Sequence, residues 1–115
     1  MVALPSTVAI LEAFHRDARE RGQQPVIFIL PMPRDLSFFR RTGEMPYAAL
    51  EEALRAAGIE SPDVARSLDE RLGDRDPAEL IVGAEPHYNR EAHSMLARIL
   101  FDWMQERGIA PGASL

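Results

Sequence analysis

The fold class turns on Pro25-Val26-Ile27-Phe28-Ile29-Leu30-Pro31. Five consecutive β-branched, aromatic and aliphatic residues stand between two prolines, neither of which can donate a backbone hydrogen bond. Hydrophobicity that is unbroken rather than alternating asks for apolar cover on both faces, the pattern of a central parallel strand. Upstream, Ser6 or Thr7 can cap a helix to about Arg21, with Val8, Leu11, Phe14 and Ala18 on one stripe and Gly22 as its stop. A helix, a breaker and a buried strand in that order are half of a repeating α/β unit, so the expected class is α/β.

Downstream, Pro31 to Met45 shows little periodicity and is expected to be a long connection leaving the carboxyl end of the strand. Phe38 and Phe39, flanked by Arg34, Arg40 and Arg41, either line a site for an anionic or ring-shaped substrate or anchor the loop to the core among solvated arginines. Pro46 suits the first turn of a helix to about Ala57, with Leu50, Ala53 and Leu54 inward and Gly58 after its end. Ile59 to Val64 fits either a helix start at Ser61-Pro62 or a short edge strand. Ala65 to Leu72 reads as a turn or two of helix, and Gly73-Asp74-Arg75-Asp76-Pro77 as a turn.

The second informative stretch is Glu79-Leu80-Ile81-Val82-Gly83-Ala84-Glu85-Pro86-His87-Tyr88-Asn89. Its apolar run stops at Gly83, and Asn89 is placed to cap a helix opening near Arg90, which sets His87 at a strand-to-helix junction. Such junctions hold side chains exposed on a fixed scaffold, which makes His87 the first candidate for chemistry. Ala92, Leu96, Ile99, Leu100, Trp103 and Met104 recur at helical spacing, and Gly108 and Pro111 end that last helix. His93 with His87 and Glu91 matches no standard metal spacing, so no metal is expected, and no cofactor.

Composition narrows the function classes. The 115 residues are expected to form one domain. A net charge of -5, with 13 basic residues scattered among 18 acidic ones, argues against nucleic acid as the main partner. The longest apolar run falls far short of the roughly 20 residues that cross a bilayer, so no membrane span is expected. The absence of cysteine excludes a disulfide framework and a thiol nucleophile.

Glu79 to Ala97, E-L-I-V-G-A-E-P-H-Y-N-R-E-A-H-S-M-L-A, resembles the final block of the SGNH (GDSL-type) hydrolases. In that family a loop carrying an acid and the catalytic histidine leads through a short cap into the last helix. His87 matches the histidine, Asn89 the helix start, and Ala92-His93 the usual Gly-His pair. The resemblance implies a three-layer, flavodoxin-like α/β fold, of which residues 1–115 would be the C-terminal half, with two to three parallel strands and about four helices. It also implies a small-molecule or carbohydrate ester as substrate.

This sequence departs from the family twice. The acid usually stands three residues before the histidine, where this chain has Ala84; Glu85 is one place off, leaving Glu85, a carboxylate from Asp74 or Asp76, or no acid at all. The Gly-Asp-Ser nucleophile block and the glycine and asparagine of the oxyanion hole are missing. The resemblance thus implies an ester hydrolase or O-acyltransferase fragment, inactive in isolation, with His87 as general base for a serine supplied from outside. The rival is a non-catalytic α/β module that binds a partner through an uncovered sheet edge. Either way the chain is expected to form a homodimer or pair with a further N-terminal segment.

Overall fold

A computed structural model describes residues 4–82 and 87–109. Among them are five α-helices, α1 (Leu4–Glu20), α2 (Pro33–Thr42), α3 (Ala48–Ala56), α4 (Val64–Leu72) and α5 (Arg90–Glu106), and a 3-10 helix at Pro77–Leu80. The only sheet among the described residues is a hairpin of two-residue strands, β1 (Ile81–Val82) and β2 (His87–Tyr88), paired antiparallel with Ile81 opposite Tyr88 and Val82 opposite His87. No helix of the described residues is long and apolar enough to cross a membrane.

The expected flavodoxin-like α/β architecture with parallel strands is therefore overturned: the protein is mostly helical, and the one sheet among the described residues is antiparallel. Val26–Leu30 is the deciding difference. The run carries the composition of a strand, yet it belongs to no sheet, and among the described residues its backbone makes no hydrogen bond. Nor is it covered on both faces, with Phe28 37% and Leu30 49% exposed. A strand is stable only beside another, and the sole other strand runs described are two residues long and pair with each other.

The segment expected to be a long loop is instead α2, for reasons the residues supply. Pro33 occupies the first turn, where its missing N–H costs nothing, and Asp35 Oδ2 accepts the Met32 amide at 2.8 Å. Gly43 ends the helix at φ 81°, a conformation that favours glycine, and donates to the Phe39 carbonyl at 2.7 Å.

The chain divides into two compact units. The first, Met1–Phe28 with Pro46–Ser61, contains α1 and α3, which pack together. Its buried apolar side chains are Ala18, Leu54 and Ile59. Phe14, expected on the inward stripe of α1, is 53% exposed.

The second unit, Ile29–Met45 with Pro62–Leu115, holds the larger core. Here α4 packs on α5, and α2 packs on the 3-10 helix. Leu36, Leu68 and Leu80 are fully buried, joined by Leu72, Leu96 and Ile99. Each such side chain contributes about 1.5–3 kcal/mol by leaving water. Asp63 caps α4 by accepting the Arg66 amide at 3.2 Å, so the helix opens at Val64, after Ser61-Pro62, and residues 59–62 form neither a helix nor an edge strand.

Arg40 binds α2 to the far end of α4. Its Nε donates to Asp69 Oδ1 at 2.6 Å, Nη1 to the Arg75 carbonyl at 2.5 Å and Nη2 to the Gly73 carbonyl at 2.8 Å. Arg66 lies over the Phe39 ring at 5.2 Å and Arg41 over Phe38 at 5.5 Å. Of the two roles open to these aromatics and arginines, anchoring is the one the contacts describe.

Candidate functional site

One asparagine ties the start of α5 to the end of the 3-10 helix. Asn89 Oδ1 accepts the Ala92 amide at 2.9 Å, its Nδ2 donates to the Glu79 carbonyl at 2.8 Å, and its own amide donates to the Leu80 carbonyl at 2.8 Å. The side chain thus caps α5 and ties it back to the end of the 3-10 helix. Asn89→Ala deletes both side-chain bonds and is expected to cost about 1–2 kcal/mol in a denaturant titration. Asn89→Asp keeps the capping acceptor but loses the donor to Glu79, so it should recover part of that loss.

His87 opens β2, two residues before this cap, and is exposed. The sequence reading sets His87 in a turn after the apolar run; the structure instead makes it the first residue of an antiparallel strand that leads through Asn89 into α5. Successive strand residues point to opposite faces, so His87 shares a face with Val82, its cross-strand partner, which is 58% exposed.

Tyr88 takes the other face with Ile81 and anchors the hairpin. Its hydroxyl donates to the Pro31 carbonyl, and its ring meets that of His93 edge-on, centroids 6.4 Å apart at 76°. Burial, and secondarily the Asp35 carboxylate, push the Tyr88 phenol up to about 12. An unfolded tyrosine ionises near 10, so this group's contribution to stability is whole below about pH 10 and is lost as pH rises through about 12. Wild-type unfolding midpoints should fall across that window, with Tyr88→Phe flatter. A smaller fall in wild type than in the phenylalanine variant would contradict this.

The acid expected beside the histidine, Glu85, lies outside the described residues. Of the alternatives, Asp76 is occupied as a cap, accepting the Ala78 amide at 2.9 Å, and Asp74 is exposed on the turn. A stronger electrostatic feature lies on the first turn of α5: Arg75 grips Glu91 with both terminal nitrogens, at 2.8 and 2.7 Å, and reaches Glu79 at 3.4 Å. The Arg75 hydrogen bonds hold the Glu91 carboxyl below its ordinary value and raise the guanidinium above its own. This pair was missed from sequence because Arg75 and Glu91 are sixteen residues apart and meet only through the fold.

Met32, Pro33, Arg34 and Ile81 line a cleft of about 240 Å³. Ile81 faces away from His87 across the hairpin, so the cleft and the imidazole are on opposite sides of it. Among the described residues no three of His, Cys, Asp and Glu gather as a metal-holding group. Comparison with protein-family models, with curated proteins and with solved structures finds no match for this chain.

Proposed function

We propose that this chain carries the general-base histidine of an ester hydrolase or O-acyltransferase of the SGNH kind, acting on a serine supplied from outside it. The observation in support is local: an exposed imidazole on β2, two residues before an asparagine-capped helix, in the order the resemblance requires. An exposed ring can approach a hydroxyl borne by another polypeptide, which a packed one cannot.

In the proposed cycle the external serine oxygen bonds to the ester carbonyl carbon while His87 takes the hydroxyl proton. The tetrahedral intermediate then collapses, the bond to the alcohol breaks, and the proton passes from His87 to the departing oxygen. Water or an acceptor hydroxyl repeats the exchange on the acyl-serine, again losing its proton to His87. Histidine suits both halves because imidazole exchanges protons near neutral pH.

Ser37 Oγ already donates to the Pro33 carbonyl at 3.2 Å, and none of the six serines stands in the nucleophile sequence of the family. A serine-directed fluorophosphonate is therefore expected to leave the isolated chain unlabelled. Added to the polypeptide that supplies the serine, the chain should switch on labelling of that polypeptide, and His87→Ala should not. Labelling of any of the six serines here would refute the external nucleophile.

A further inference from the structure

The cleft between the start of α2 and β1 has a chemistry that the acyl-transfer proposal does not call on. Met32, Pro33 and Ile81 give it apolar walls, and Arg34 is the one charged residue that lines it. Its volume of about 240 Å³ exceeds the roughly 150 Å³ of an engineered apolar cavity that binds benzene, so a short alkyl chain or a single ring fits. The walls are fixed before any ligand arrives. Asp35 Oδ2 accepts the Met32 amide at 2.8 Å, the Tyr88 hydroxyl donates to the Pro31 carbonyl, and Ile81 pairs with Tyr88 across the hairpin. All of these residues belong to the second compact unit.

Arg34 decides the chemistry of the occupant. The other arginines of α2 are engaged within the protein, Arg40 by Asp69 and two carbonyls and Arg41 by the Phe38 ring. Arg34 makes no hydrogen bond, ion pair or ring contact among the described residues, and it is exposed. The neighbouring carboxylate of Asp35 is taken by the Met32 amide and does not line the cleft. Another cleft of similar size, about 220 Å³ between α4 and α5, differs on this point: there Arg71 already meets Asp102 at 3.5 Å, and Asp63 meets Arg66 at 3.1 Å. We propose that the cleft at Arg34 binds a small amphipathic carboxylate, with its alkyl or aryl body against Met32, Pro33 and Ile81 and its two oxygens on the guanidinium. A single guanidinium carries one charge and matches a carboxylate through two parallel N–H···O bonds.

The probe is octanoate, with octanamide as its uncharged counterpart, titrated into the full chain while the methyl resonances of Met32 and Ile81 are followed by NMR. Octanoate should shift both saturably with a Kd at or below about 1 mM, and octanamide should bind about tenfold more weakly. Arg34→Gln should weaken octanoate about tenfold and leave octanamide unchanged. Arg34→Lys keeps the charge without the planar fork, so its affinity for octanoate should fall between the two. No saturable shift at Met32 and Ile81, shifts spread evenly over the methyls of the chain, or Arg34→Gln binding octanoate as wild type does would each overturn the proposal. Should a variant lose helicity, the comparison of acid and amide in wild type decides, and equal affinities there would also overturn it.

Discussion

His87→Ala is expected to lower ester turnover in the assembly that supplies the serine by about 10²–10⁴-fold, the usual worth of a positioned general base. The loss should fall on kcat, with KM little changed, because proton transfer is an interaction of the transition state and not of the bound ester. It should leave the fold intact. His87 is exposed and lies outside the buried set, so the helical signal and cooperative unfolding of wild type should persist in the variant. Added imidazole should restore part of the rate in the alanine variant. Unchanged turnover, or a loss traceable to unfolding, would remove His87 from the chemistry.

Leu68→Ala is expected to be among the most damaging single substitutions for stability. Leu68 is fully buried on α4, the helix that packs on α5, and it sits in the same core as Leu36, Leu72 and Leu80. Cutting its isobutyl group back to a methyl leaves a cavity that packed helices close only in part, at about 2–5 kcal/mol. That is a large part of the roughly 5–15 kcal/mol by which small domains are stable. Ile10→Ala, at a position 65% exposed, removes a comparable volume and should shift the denaturation midpoint little. Equal effects from the two would mean that the core is not where the burial places it.

The helices with standard punctuation were legible in the sequence. α3 runs to Ala56 with Gly58 just beyond it, α5 opens on its Asn89 cap and closes before Gly108, and Asp76-Pro77 opens the 3-10 helix as a turn. Val26–Leu30 misled because composition reports what backbone a segment favours and not whether a neighbour exists to pair with it. α2 was hidden by prolines at 31 and 33 and by sparse apolar spacing, although Pro33, Asp35 and Gly43 are ordinary start and stop signals. Its one fully buried side chain, Leu36, is supplemented by arginine contacts that periodicity does not register. At the candidate site, the position of His87 before its capped helix could be read from residues 87–90, whereas the Arg75–Glu91 pair joins residues sixteen apart and depends on the tertiary fold.

The grip of Arg40 on Asp69, Gly73 and Arg75, together with the Tyr88 hydroxyl on Pro31, has a consequence during synthesis. α2 is translated before any of its partners, and at about 5–20 residues per second the nascent chain waits seconds for Pro77–Leu80 to follow it. Through that interval Leu36, Phe38 and Phe39 have nothing to fold against, which makes this short window the stage at which chaperones or proteases have their best access to the newborn polypeptide.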